Sequence, residues 1–136
     1  MSKLRLNVVD SCGWLEYFAD GPGAGFFASA IEKTDKLVVP SICLLEVFKR
    51  ALQQKGEESA IVAISAMREG RIVDLDPAIA LNAARLGASH GLPLADSVIV
   101  ATAQANNAII WTSDADFKDI DRVKFLDKRG HTRHRK

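Results

Sequence analysis

Acidic residues occur in this chain at places where apolar runs end or are interrupted. Asp10 ends LNVV, Glu46 lies inside ICLLEVF, and Asp96 opens SVIVATA, whereas Asp114 and Asp116 follow AIIW. A carboxylate beside a buried segment is unfavourable unless it is hydrogen-bonded, paired or bound to a cation. Four such places in one small chain predict that the acids converge on a single metal site. Such a site would act on a phosphorylated substrate, with nucleic acid the first candidate.

The chemistry of the acids predicts which ion they would hold. Two carboxylates about 4 Å apart repel each other by about 4 kcal/mol at an effective dielectric constant near 20. Three or four together would therefore take up protons or require a divalent cation. Ligation by carboxylate oxygens and water suits Mg²⁺ or Mn²⁺, and no histidine is spaced to favour zinc. The predicted cofactor is Mg²⁺ or Mn²⁺.

Most of the acids also have a local structural explanation. Asp10 could cap the following helix, a contribution of about 1 kcal/mol, although Ser11 beside it could cap that helix equally well. Asp96 also precedes a helix, where a carboxylate is stabilised whether or not it binds metal. Asp114 and Asp116 lie in TSDADF, a sequence typical of side-chain-stabilised turns. Asp116 is the more easily explained of the two and is predicted to be an accessory ligand.

Glu46 is the acid least easily explained by local structure. Its immediate neighbours in LLEVF are apolar, so we expect it to have little polar company. The competing explanation is an exposed ion pair with Lys49 or Arg50, three and four residues further along the same helix.

The pattern of apolar segments predicts an α/β fold. Short apolar runs alternate with helix-like segments, which is typical of a parallel sheet covered on both faces. The predicted strands are 4–9, 36–39, 71–74, 108–111 and a last edge strand 123–126, and the predicted helices are 11–19, 24–32, 41–55, 57–69, 77–91 and 94–106. Ligands of such sheets bind beyond the carboxyl ends of the strands, where Asp10 and Asp114 are expected.

Length and composition indicate one soluble domain with a basic tail. The chain has 136 residues, of which 48% are hydrophobic and 26% charged. No apolar run approaches the roughly 20 residues of a membrane span, and there is no signal-peptide pattern, so we expect a cytoplasmic protein. Residues 1–127 form the predicted domain, with 13 basic and 17 acidic residues, and 128–136 form a basic, flexible tail. The tail is either simply solvated or an arm for phosphate backbones. Both Cys12 and Cys43 are predicted to be buried thiols.

Four motifs in order resemble those of the PIN-domain nucleases, and most closely the VapC-type toxins of toxin–antitoxin pairs. They are VVDS ending at Ser11, LLEV around Glu46, LADS with IVATA around Asp96, and TSDADF from Thr112. Each motif is weak alone, but their order and spacing in a chain of this length are specific. The resemblance runs from about residue 4 to residue 126. One departure is the pair Cys12 and Gly13, where many relatives carry other small or polar residues.

The resemblance implies a fold, an activity and partners. The fold would be a single PIN-like domain, a three-layer α/β/α arrangement with a short parallel sheet sandwiched between helices. Asp10, Glu46, Asp96 and Asp114 would be the catalytic, metal-binding acids of a Mg²⁺- or Mn²⁺-dependent endoribonuclease that hydrolyses RNA with activated water. Thr112 and Ser11 would contact the substrate. The implied partners are RNA, a small antitoxin protein that obstructs the acidic pocket, and a second copy of the chain in a homodimer.

Two other interpretations of the same residues stay open. A phosphotransfer receiver-like domain is also α/β with an acidic Mg²⁺ pocket, but it would need paired acids after the first strand, and Asp10 has no acidic neighbour. A catalytically silent PIN-like module that binds nucleic acid is disfavoured by the intact set of acids.

Overall fold

The computed structural model describes residues 5–127 and the backbone of residues 132–135. Its strands are β1 Leu6–Val9, β2 Leu37–Pro40, β3 Arg71–Val73, β4 Ala108–Thr112, β5 Val123–Leu126 and β6 Thr132–Arg135. Its α-helices are α1 Ser11–Phe18, α2 Ala24–Ile31, α3 Ser41–Lys55, α4 Glu57–Met67, α5 Pro77–His90 and α6 Leu94–Ala105. Two short 3₁₀ turns, Thr34–Lys36 and Ala115–Phe117, complete the described elements.

The strands form one sheet in the order β3-β2-β1-β4-β5-β6. Strands β1 to β5 are parallel to their neighbours, whereas β6 pairs antiparallel with β5. The predicted α/β class with a parallel sheet is thereby confirmed. The expectation that residues 123–126 form the edge strand was wrong, because β6 lies outside them. The other residues of the predicted tail, 128–131 and 136, lie outside the described part of the chain.

Helices cover both faces of the sheet and give three layers. Right-handed crossovers between parallel strands place α1 to α4 over one face and α5 and α6 over the other. The contacts agree, because α1 packs on α2 and α3, α3 packs on α4, and α5 packs on α6. The central strands are consequently apolar throughout, with Val8, Val9, Val38 and Val39 buried completely or almost so. Within the described residues, no helix combines the length and the apolar character needed to cross a membrane.

The direction in which the chain adds strands reverses between β1 and β4. From β1 the chain builds β2 and β3 on one side, and β4 and β5 then join the other side. In open parallel sheets, ligands bind in the crevice beyond the carboxyl ends of the strands at such a reversal. The register pairs Val9 with Trp111, so Asp10 and Thr112 leave these two strands side by side. The topology therefore brings residues about a hundred positions apart to one crevice.

The structure decides one open alternative and corrects one expectation. Ser11 is not the cap of α1 but its first residue, and the side chain of Asp10 caps the helix by accepting a hydrogen bond from the Gly13 N–H. Both cysteines were expected to be buried, but Cys12 is exposed and only Cys43 is buried. The two tryptophans, Trp14 and Trp111, are both buried in the core.

Candidate active site

A cavity of about 410 Å³ lies beyond the carboxyl ends of β1 and β4, and its lining includes all four acids predicted to act together, Asp10, Glu46, Asp96 and Asp114. They arrive from the end of β1, the second turn of α3, the first turn of α6 and the loop after β4. The fifth acid, Asp116, is exposed beside Asp114. The fold thus brings the predicted residues together in one place.

Asp10 is the most deeply buried carboxylate of the cavity, with only 2% of its surface exposed. Its Oδ1 accepts a hydrogen bond of 2.8 Å from the Gly13 N–H, and its Oδ2 accepts one of 2.6 Å from the Thr112 hydroxyl. Burial raises the pKa of Asp10 from 3.8 to about 7, against the lowering effect of both hydrogen bonds and with a further rise from Asp114 and Asp96. An isolated charge at this position is unfavourable, so the site gains free energy from a proton or a cation.

Thr112 connects Asp10 to the loop after β4. While its hydroxyl donates to Asp10, the same oxygen accepts a hydrogen bond of 2.9 Å from the Asp114 N–H. The Asp114 Oδ1 in turn accepts a bond of 2.9 Å from the Asp116 N–H and caps the 3₁₀ turn. Asp114 therefore stabilises the turn, as predicted, through its Oδ1, and its Oδ2 is left to bind a ligand. Thr112 acts within the wall of the site, where it is fully buried.

Asp114 is the point at which two potential ligand groups meet. In one group a carboxylate oxygen of Asp10, the thiol of Cys12 and a carboxylate oxygen of Asp114 lie within 4.8 Å of one another. In the other, oxygens of Asp96, Asp114 and Asp116 do so. Among the described residues, Glu46 belongs to neither group. Asp116, predicted to be an accessory ligand, therefore has a carboxylate oxygen close to those of Asp96 and Asp114.

Asp96 lies in the first turn of α6 and does not cap that helix, whose cap residue Pro93 offers no side-chain bond. Burial raises the pKa of Asp96 to about 6, and the negative charges of Asp114, Asp116 and Glu46 add to the rise. The helix N-terminus favours the ionised carboxylate but does not offset these effects. Asp10 and Asp96 therefore both hold protons more tightly than ordinary aspartates.

Glu46 lines the cavity and is held there by Ser11. Its Oε1 accepts a hydrogen bond of 2.5 Å from the hydroxyl of Ser11. The competing explanation was an ion pair with Lys49 or Arg50, and no such ion pair forms in the described part of the chain. Glu46 therefore faces the cavity, and Ser11 orients it.

Sequence reasoning missed the role of Gly13. Its backbone N–H binds Asp10, and a Cβ there would come within 2.6 Å of Val9 Cγ1 and Phe27 Cε1. Only glycine lets the first turn of α1 approach β1 so closely. The signal was present in the sequence, because an aspartate three residues before the donated N–H is the usual spacing of a helix cap.

Sequence reasoning also missed Cys12 as a part of the site. Nearby carboxylates add to burial in raising the pKa of the Cys12 thiol to about 12, so the thiol is protonated at neutral pH. A protonated thiol is a poor ligand for a hard cation. The oxygen atoms of the acids are the donors that fit Mg²⁺ or Mn²⁺, and a divalent cation among them would relieve the unfavourable charge that raises the pKa of Asp10. The residues present therefore fit the implied ion.

Comparisons with known proteins identify the family and the fold of the chain. The sequence profile of the PIN domain matches residues 8–123, most of the chain. The protein belongs to the PIN domain family. The predicted resemblance to that family is confirmed, as is the three-layer α/β/α fold. Comparison with curated protein sequences finds no significant match.

Solved structures share the fold at low sequence identity. A toxin–antitoxin complex from Klebsiella pneumoniae aligns with a TM-score of 0.72 and 24% identity, covering 86% of this chain and 94% of that one. VapBC2 from Rickettsia felis, bound to a promoter DNA fragment, aligns with a TM-score of 0.71 and 18% identity over 90% and 99% of the two chains. Mycobacterium tuberculosis VapC20, described as a Sarcin-Ricin loop cleaving toxin, aligns with a TM-score of 0.70 and 14% identity, covering 82% of this chain and 92% of that one.

Proposed function

We propose that this PIN-domain protein is a metal-dependent endoribonuclease and the toxin of a VapBC-type toxin–antitoxin pair. The observation that carries the proposal is the convergence of Asp10, Glu46, Asp96 and Asp114 on one cavity at the point where the sheet reverses. Several of the solved structures that share the fold are, by their titles, toxins or toxin–antitoxin complexes. Those likenesses support the proposal by fold alone.

We expect Asp10, Asp96 and Asp114 to hold the ion, because Asp114 has an oxygen close to Asp10 in one group and close to Asp96 and Asp116 in the other. A bound Mg²⁺ or Mn²⁺ supplies a Lewis acid that makes water a stronger nucleophile and stabilises negative charge on the phosphate. Thr112 and the Gly13 N–H fix both oxygens of Asp10. These bonds hold the carboxylate in place before any ion arrives, so little reorganisation is needed on binding.

Glu46 has a different task from the three aspartates. It lies on the wall of the cavity, with one oxygen bound by Ser11, and its other oxygen is free to accept a proton or a hydrogen bond. We therefore assign to Glu46 the positioning of the attacking water, and to Ser11 the orientation of Glu46. Direct contact of Ser11 and Thr112 with substrate, as first predicted, stays a prediction.

A cleavage assay with two matched variants tests the proposal. Asp114→Asn keeps the Oδ1 that binds the Asp116 N–H but removes the charge shared by both ligand groups. Asp119→Asn removes a charge from an exposed residue outside the cavity lining. With single-stranded RNA and Mn²⁺, we expect cleavage by the unsubstituted protein and by Asp119→Asn, and a loss of at least about a hundredfold in Asp114→Asn. EDTA should abolish cleavage, and equal cleavage by Asp114→Asn would disprove the assignment.

The antitoxin partner is part of the same proposal. An apolar groove of about 500 Å³ runs between α1, α3 and α4, and Leu15 lines both this groove and the acidic cavity. Val62 on its rim is 66% exposed, which is unusual for a large apolar side chain. We infer that an amphipathic helix of the antitoxin lies in the groove, and from there its chain reaches the cavity. The predicted homodimer and cytoplasmic location stay predictions.

A further inference from the structure

The wall of the acidic cavity that α3 forms carries positive charge. Glu46, Lys49, Arg50 and Gln53 all line the cavity, because positions i, i+3, i+4 and i+7 lie on one face of a helix. Lys49, Arg50 and Gln53 are exposed. In the part of the chain that the structure describes, neither cation forms an ion pair. Two basic side chains at the mouth of an acidic site, uncommitted to its acids, are available for a ligand.

The charges of the cavity indicate what that ligand is. Asp10, Glu46, Asp96 and Asp114 carry four negative charges when fully ionised, and one divalent ion offsets two of them. An RNA strand approaching the site would still meet a net repulsion. Lys49 and Arg50, on the wall of the same cavity, reduce that repulsion. The guanidinium of Arg50 also has the geometry to bind a phosphate through two hydrogen bonds.

We propose that Lys49 and Arg50 form a subsite for the RNA backbone, holding a phosphate next to the one that is cleaved. The inference rests on the proposed ribonuclease function and extends it by assigning how the strand is held. Gln53 continues the same wall with an amide that can bond to a ribose hydroxyl. Single-stranded RNA fits this arrangement, since a flexible strand can place adjacent phosphates on the two sides of a small cavity.

The test compares two charge-matched double variants. K49Q/R50Q removes the subsite. The control K33Q/R68Q also removes one exposed lysine and one exposed arginine, but these precede β2 and β3 and so lie near the amino ends of the strands, away from the cavity at the carboxyl ends. Steady-state cleavage of a single-stranded RNA with Mn²⁺ is measured at several salt concentrations. Mn²⁺ affinity is measured separately by calorimetry, and folding by circular dichroism.

In K49Q/R50Q we expect KM to rise about ten- to a hundredfold, with kcat within about threefold of the unsubstituted protein. The slope of log(kcat/KM) against log[salt] should become less steep by about 0.7, because the lost subsite neutralises one phosphate of a single strand. Mn²⁺ affinity and folding should not change. K33Q/R68Q should match the unsubstituted protein in every measurement.

Three results would overturn the inference in different ways. Unchanged KM and salt slope in K49Q/R50Q would show that the cations do not hold RNA, while the proposed nuclease function would stand. Unchanged RNA kinetics together with weaker binding of poly-L-glutamate would assign the cations to an acidic protein partner instead. If the unsubstituted protein cleaves no RNA, the proposed function fails and the subsite fails with it.

Discussion

Replacing Asp10 by asparagine should stabilise the metal-free protein at alkaline pH, against the usual effect of substituting a buried residue. The pKa of Asp10 is raised from 3.8 to about 7, a shift of about three pKa units, and each unit corresponds to about 1.4 kcal/mol. The ionised carboxylate therefore costs the folded state about 4 kcal/mol above pH 7. Asparagine avoids this cost and its Oδ1 can still accept from the Gly13 N–H, but its amide nitrogen cannot accept from the Thr112 hydroxyl, so that hydrogen bond is lost at a cost of about 1 to 3 kcal/mol. The net gain should be about 2 kcal/mol.

The sign of this effect depends on pH. Because the folded-state pKa of Asp10 lies above the unfolded value, the folded protein binds more protons between about pH 4 and pH 7. Stability is then fully present below pH 4 and is lost as pH rises through 7. The advantage of Asp10→Asn should accordingly vanish near pH 4 and reach its full size near pH 8.

Urea unfolding in EDTA at pH 4.5 and pH 8 measures the difference directly, with Asp119→Asn as the exposed control. Saturating Mn²⁺ at pH 8 should reverse the order, since binding stabilises only the protein with an intact site. A variant that is equally destabilised at both pH values would refute the reasoning. That result would mean that Asp10 is not an unfavourable charge in the folded state.

Three further predictions concern the same site and the groove beside it. Mn²⁺ affinity should fall by up to about a hundredfold per pH unit below pH 6 in a calorimetric titration, because Asp10 and Asp96, with pKa values of about 7 and about 6, must both lose protons to bind the ion. Thr112→Val should lower the free energy of unfolding by about 1 to 3 kcal/mol in a urea titration, because buried Asp10 loses a hydrogen bond. Val62→Asp should weaken antitoxin binding at least tenfold in a calorimetric titration, because it places a charge in the apolar groove, and should leave RNA cleavage unchanged.

Each of these predictions has its own control and contrary outcome. An affinity for Mn²⁺ that is flat between pH 5 and pH 8 would contradict the raised pKa values. Thr102→Val removes a buried hydroxyl that donates to the Val98 carbonyl within α6. It should lower the free energy of unfolding less than Thr112→Val does, because it leaves no buried carboxylate without a partner, and an equal loss in both variants would contradict the role of Thr112. Ile61→Asp alters an exposed apolar residue outside the groove lining, and weaker antitoxin binding there would contradict the assignment of the groove.

Much of the fold follows from local patterns in the sequence. The apolar runs that became β1, β2 and β4 are buried on both faces, so their composition alone identified them as strands of a covered parallel sheet. The acids at the ends of β1 and β4 could be paired for the same reason, because parallel strands end at one edge. Burial around Glu46 was predicted less well. In the run ICLLEVF only Cys43 and Val47 are buried, and Leu45 is 59% exposed.

The rest depended on contacts between distant segments. The bond between Ser11 and Glu46 joins residues 35 positions apart, and the bond between Thr112 and Asp10 joins residues 102 apart. The periodicity of apolar residues predicts helices and strands, but it does not predict which side chains of two distant elements come into contact. The cap of α1 was left open for a related reason, since Asp10 and Ser11 are equally good caps by type. Only the fold shows that Asp10 contacts both Gly13 and Thr112.

Anomalous X-ray scattering from a crystal soaked in Mn²⁺ tests the central claim most directly. The account predicts a peak at the manganese edge bounded by the carboxylates of Asp10, Asp96 and Asp114. The same crystal soaked with EDTA should show no peak there, and neither should a Mn²⁺-soaked crystal of Asp114→Asn. If manganese binds elsewhere, or the cavity stays free of it at saturating concentration, these carboxylates do not form a metal site and the proposed mechanism is wrong.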